Sequence, residues 1–220
     1  MPVKNIITFI LTFCLIATFN IEADSQLPPP YNSAELLPFN PHGWYSNAGS
    51  MEKLFALKKP FVVIEVGCWL GASTRHMASM LPPGGVVYAV DHWLGSIENQ
   101  QGQDSWFPIL PKLYDQFLSN VIHAQLTDKI IPIRKGSLEA SEYLEGTYAD
   151  VVYIDASHDY ESVYADLNAW YPFVNGHGTL CGDDWPHPPV QQAVYQFAQE
   201  KGLKVVAPEE RFWYLTEIKG

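Results

Sequence analysis

Three carboxylates and one imidazole carry the most pointed chemistry in this chain. In "DVVYIDASHDY" (150–160) an apolar run ends on Asp155, and His158 follows three residues later. In "GTLCGDDW" (178–185) a second apolar run ends on Asp183 and Asp184. If the two runs are neighbouring strands, three acids meet at one rim. Like charges that close repel one another unless something positive sits between them. A hard divalent cation bound through oxygen suits such a set, and Mg2+ keeps waters or substrate oxygens as its remaining ligands. His158 is then placed as a general base, because a neutral imidazole beside such a site can take a proton from a hydroxyl bound there. The competing reading makes Asp155 a cap and Asp183–Asp184 a solvated loop.

A second group lies earlier. "EVGCWLGAS" (65–73) has the form of a strand, a turn and a helix start, with Trp69 between Gly67 and Gly71. Gly67 allows a tight turn, Gly71 lets the helix begin close to a ligand, and Ser73 adds a hydroxyl to the free N–H groups of the helix N-terminus. Asp91 ends the next apolar run, where a carboxylate can accept two hydrogen bonds from a ribose diol. The loop lacks the GxGxxG spacing of a dinucleotide fingerprint, which argues against a nicotinamide oxidoreductase.

Positioning these groups requires strands that end on one rim. The apolar, β-branched runs at 61–66, 86–90, 129–134, 150–155 and 178–184 predict five strands. Pro132 confines the third to an edge or a bulge. "KVVAP" and "RFWYLTEI" predict a closing hairpin. Helical segments are predicted at 50–57, 71–81, 112–124, 138–144, 160–171 and 189–201. Strands alternating with helices imply an α/β, Rossmann-like, doubly wound and mostly parallel seven-stranded sheet with helices on both faces. Ligands of such a sheet bind outside the carboxyl ends of its strands, where every group named above falls.

The totals set limits. A chain of 220 residues suits one domain with a sizeable core. Its 24 acids against 13 Lys and Arg give a formal charge of −11, which repels phosphate backbones and argues against a nucleic-acid substrate. Cys14, Cys68 and Cys181 have no CxxC spacing and define neither a disulfide framework nor a zinc site. Residues 1–23 hold Lys4 and an uncharged run from Ile6 to Phe19. That run is shorter than the roughly 20 residues of a spanning helix and suits a secretory signal peptide cleaved after Ala23, with an uncleaved membrane anchor as the alternative. Residues 24–43, rich in Pro, Asn and Ser, read as an extended arm or linker able to exchange between subunits of a homo-oligomer. The domain proper then runs over 44–220.

These motifs, in this order, resemble the class I S-adenosylmethionine-dependent methyltransferases over about residues 43–215. The nearest likeness is to the bacterial metal-dependent sugar O-methyltransferases of macrolide and aminocoumarin pathways. The resemblance implies that Glu65, Gly67, Trp69, Gly71 and Ser73 surround the methionine end of S-adenosylmethionine. It places Asp91 on the ribose and Ser137 on the adenine. Asp155, Asp183 and Asp184 become the Mg2+ ligands and His158 the base, with Asp155 as its catalytic companion. The acceptor is then a small-molecule hydroxyl, of a sugar or a phenol. Trp69, Trp93, Trp106, Trp185 and His187 are expected as walls for a ring-shaped acceptor, with residues 96–111 as part of a lid. His42, His123 and His177 are expected to be solvated. The leader points to export or membrane anchoring and the resemblance to the cytoplasm. An exported, non-catalytic ligand- or glycan-binding protein on the same fold is the rival function.

Overall fold

The computed structural model describes residues 27–95, 107–209 and 211–217. The leader, Trp106 and most of the expected lid lie outside them. Among the described residues, no helix is long and apolar enough to cross a membrane.

Seven strands form one sheet in the order β3-β2-β1-β4-β5-β7-β6. They are β1 (Val62–Val66), β2 (Val86–Asp91), β3 (Ile130–Arg134), β4 (Ala149–Ile154), β5 (Val174–Gly182), β6 (Leu203–Val206) and β7 (Trp213–Glu217). The first five pair in parallel. β7 enters antiparallel between β5 and β6. β1 and β4 at the centre are almost wholly buried, which is why they read as continuous apolar runs. Pro132 sits in β3, the edge strand its missing N–H requires.

Among the described residues, six α-helices precede or connect the strands: α1 (Ala48–Lys58), α2 (Ala72–Met80), α3 (Leu113–His123), α4 (Ser137–Tyr143), α5 (Tyr160–Trp170) and α6 (Pro188–Lys201). Their ends follow local chemistry. Asp159 caps α5 by accepting from the Ser162 N–H at 2.9 Å. Pro188 opens α6 and Gly202 closes it at φ 65°. Two apolar clusters cover the faces of the sheet. One gathers Met51, Met77, Phe117 and Val121, the other Leu167, Trp170, Val194 and Phe197.

The Pro-rich segment is not a free linker from Leu27 onward. Tyr31 is buried and its hydroxyl donates to the Ile130 carbonyl at 2.8 Å. Backbone groups of Leu37 and Asn40 bond to Ser119 and Asn120 of α3. Side chains of α3 satisfy the backbone of the segment, which is therefore docked and not loose.

Candidate active site

The carboxyl ends of β1 to β5 surround a cavity of about 1110 Å³. Its two ends treat their acids differently.

At the β1–β2 end, Gly67 adopts φ +90°, and a Cβ there would lie 2.0 Å from the carbonyl oxygen of Asp155. Only glycine lets the β1 loop pass so close to the β4 loop. Asp91 organises the turn: one carboxylate oxygen accepts from the N–H groups of Cys68 at 2.9 Å and Trp69 at 3.0 Å, the other from Trp93 N–H at 2.6 Å. Both tryptophans hold positive φ, 47° and 51°, an uncommon conformation for bulky side chains. Gly67, Trp69, Ser73, Asp91 and Ser137 all line the cavity.

Glu65 and Gly71, expected around the methionine end, do not line it. Glu65 is fully buried within β1 and accepts a short hydrogen bond from the Ser73 hydroxyl, so it stands one layer behind the cavity wall. Burial pushes its carboxyl up to about 7 against the opposing bond from Ser73. Gly71 has φ +77°, and a Cβ there would meet the Phe117 ring at 2.9 Å. Its smallness serves the packing of α3 on the loop, not the approach of a ligand. Ser137 accepts from the Trp170 indole at 2.8 Å and donates to Asp166. Burial raises Asp166 to about 6.

At the β4–β5 end, Asp155, Asp183 and Asp184 offer oxygens that all lie within 4.8 Å of one another. The parallel pairing of Ile154 with Gly182 brings the two strand ends side by side. Burial raises the Asp155 carboxyl well above its ordinary value, and the charges of Asp183 and Asp184 raise it further. Burial raises Asp183 as well. Burial would also raise Asp184, but the hydrogen bond and charge of His158, together with Arg211, outweigh it and leave that carboxyl lowered. His158 Nε2 lies 2.7 Å from Asp184 Oδ2, so the partner of the imidazole is Asp184. The His158 and His187 rings stack at 5.0 Å.

Arg211 was not singled out from the sequence. Its Nε lies 3.2 Å from Asp183 Oδ1, and its guanidinium also bonds Asp184. The signal was the closing hairpin: Gly182 pairs antiparallel with Trp213, and continuing that register sets Arg211 opposite Asp184. Tyr153 and Asn47 were missed too. The Asn47 amide donates to the Tyr153 hydroxyl, which donates to Asp155, both at 3.3 Å. Once ionised, the three carboxylates outnumber the one guanidinium, and an all-oxygen donor set of that sign fits a hard divalent cation.

Two expected walls belong elsewhere. Trp93 is buried core, its ring 4.6 Å from Phe117 and its indole bonded to the Trp69 carbonyl. Trp185 packs edge-on against Tyr195 and does not line the cavity. Trp69 and His187 do line it, joined by Trp44 and Tyr45 of the arm. His42, expected to be solvated, accepts from the Trp69 indole at 3.1 Å, and burial lowers its pKa. His123 and His177 are exposed, as expected.

This seven-stranded, mostly parallel sheet with antiparallel β7 beside β5 is a Rossmann-like methyltransferase fold. A family model described as a methyltransferase domain matches residues 64–185, just over half of the chain, and the chain belongs to that family. Solved structures share the fold. An O-methyltransferase from Bacillus cereus in complex with SAH matches at TM-score 0.59 and 18% identity, over 88% of this chain and 84% of that one. The O-methyltransferase TomG from Streptomyces achromogenes, involved in tomaymycin synthesis and solved with SAM, matches at TM-score 0.60 and 14% identity, over 84% of each chain.

Proposed function

We propose that the protein transfers a methyl group from S-adenosylmethionine to a hydroxyl of a small molecule, a sugar or a phenol, with Mg2+ held by Asp155, Asp183 and Asp184. The observation that carries this reading is one cavity with two unlike ends: a glycine turn organised by Asp91, and a desolvated triad of acids beside an imidazole. S-adenosylmethionine supplies the electrophilic methyl, and the cation supplies Lewis acidity toward the acceptor oxygen.

The chain's own residues do the rest. The Gly67–Ser73 turn and the N-terminus of α2 receive the methionine end, Asp91 the ribose, and Ser137 the adenine side. Asp184 Oδ2 lies 2.7 Å from His158 Nε2 and orients the imidazole. The imidazole takes the acceptor proton. Trp44, Trp69 and His187 supply flat apolar faces for a ring. Most of the acceleration comes from holding donor and acceptor in line.

Incubation with methyl-labelled S-adenosylmethionine and a panel of sugars and phenols tests the reading. Label should move to at least one hydroxylated acceptor, and His158→Gln should slow that transfer about 100-fold or more. No transfer to any acceptor by a protein that binds the donor would refute it.

A further inference from the structure

The catalytic reading leaves unused a fully buried amide outside the strand ends. Asn120 in α3 is 0% exposed. Its Nδ2 donates to the Asn40 carbonyl at 2.8 Å and to the Leu70 carbonyl at 2.9 Å. Its Oδ1 accepts from Asn40 N–H at 2.9 Å and from Gln116 Nε2 at 3.1 Å. A side-chain amide has two donors and an acceptor oxygen with two lone pairs, so every bond it can make is made. Its partners belong to separate parts of the molecule: the N-terminal arm, the turn between Gly67 and Gly71, and the preceding turn of α3.

The arm then runs from Asn40 to Asn47. Asn47 is buried and bonds Tyr153, which bonds Asp155. Between these anchors, Gly43, Trp44, Tyr45 and Ser46 line the cavity. Trp44 lies 5.3 Å from Trp69 between ring centroids, and Trp69 donates to His42. A second tie lies further out, where Ser119 Oγ accepts from Leu37 N–H and donates to the Glu35 carbonyl.

We infer that Asn120 is a positioning residue for ligand binding: it buckles the N-terminal arm to the 67–71 turn, so that residues 43–46 form a fixed wall of the cavity. The inference rests on the methyltransferase reading for the identity of the ligand but not for the buckle itself. Both carbonyls held by Nδ2 belong to segments that face the cavity. Loss of the amide therefore releases the wall without removing any lining side chain. The bonds of Ser119 to the arm end on residues 35 and 37, before the lining begins, and its other contact is to the Asp115 carbonyl within α3, so their loss spares the wall.

The test uses the full-length protein, SAH as calorimetric ligand, and chymotrypsin to report arm release, since Phe39 and Trp44 are exposed cleavage sites. All titrations are run well below the melting temperature of each variant. Asn120→Leu is expected to weaken SAH about tenfold or more and to speed cleavage after Phe39 and Trp44. Asn40→Pro deletes the Asn40 N–H bond to Asn120 from the arm side without touching α3, together with the His42 N–H bond to Asn40 Oδ1; a proline after Phe39 blocks cleavage there, so the variant is expected to weaken SAH and to speed cleavage after Trp44 should Asn120→Leu fold poorly. Ser119→Ala is the control, expected to keep SAH affinity within about twofold. Rapid arm cleavage with unchanged SAH affinity in Asn120→Leu and Asn40→Pro would overturn the inference, as would unchanged cleavage in both. Failure of the wild type to bind SAH would instead refute the methyltransferase reading, and the buckle would then stand or fall on cleavage rates alone.

Discussion

The two ends of the cavity use the same chemical group in opposite ways. At the β2 end, Asp91 accepts three backbone N–H bonds. At the β4–β5 end, Asp155 is desolvated between two further acids and has one long bond, 3.3 Å, from Tyr153. An acid matched to backbone donors holds a loop in shape. An acid crowded by its own kind destabilises its surroundings until a cation arrives. The first arrangement stabilises the fold, and the second is the one to which the proposed function assigns a cation. Gly67 joins the two, since its missing side chain lets the β1 turn touch the Asp155 backbone.

Substitutions can break this contrast. The largest effect is expected at the crowded end: Asp183→Ala should lower methyl transfer about 1000-fold while changing SAH affinity less than about threefold. Next comes the junction. Gly67→Ala forces a Cβ into the Asp155 backbone and should cost about 4 kcal/mol or more in a urea melt. Asp91→Ala leaves three backbone donors without their acceptor and should cost about 3 kcal/mol, with weaker SAH binding.

Glu65 sharpens the contrast through pH. Its carboxyl is raised from 4.5 to about 7, so between those values the folded state holds a proton that the unfolded state has released. Stability from this group therefore falls as pH rises through the window, by on the order of 3 kcal/mol. Urea melts from pH 4.5 to 7.5 should show that decline in the wild type relative to Glu65→Gln. The smallest effect is the most telling: Asp155→Asn should leave metal-free stability unchanged or raise it by about 1 kcal/mol. A loss as large as that of Asp91→Ala would erase the distinction between the two ends.

The sheet was legible in the sequence because its central strands are buried on both faces and so appear as unbroken apolar runs. Asp155, Asp183 and Asp184 were legible for the same reason, as charges that end such runs. Trp93 was misplaced because ring type alone does not separate a cavity wall from core, and Gly71 because a positive φ does not say what approaches it. Arg211 and Asn120 depend on register and on tertiary contact. Asn120 sits mid-helix in α3 and finds its partners 50 and 80 residues away, which no local pattern encodes. The arm looked like a linker because its composition is polar, yet Tyr31 and the side chains of Ser119 and Asn120 dock it.

The central claim is that one end of the cavity binds the donor and the other activates the acceptor. Calorimetry of SAH binding in excess Mg2+ and in EDTA, with methyl transfer measured on the same samples, tests it most directly. SAH affinities are expected within about threefold of each other, with transfer abolished in EDTA. Absence of SAH binding in both conditions, or transfer that proceeds equally well after chelation, would contradict it.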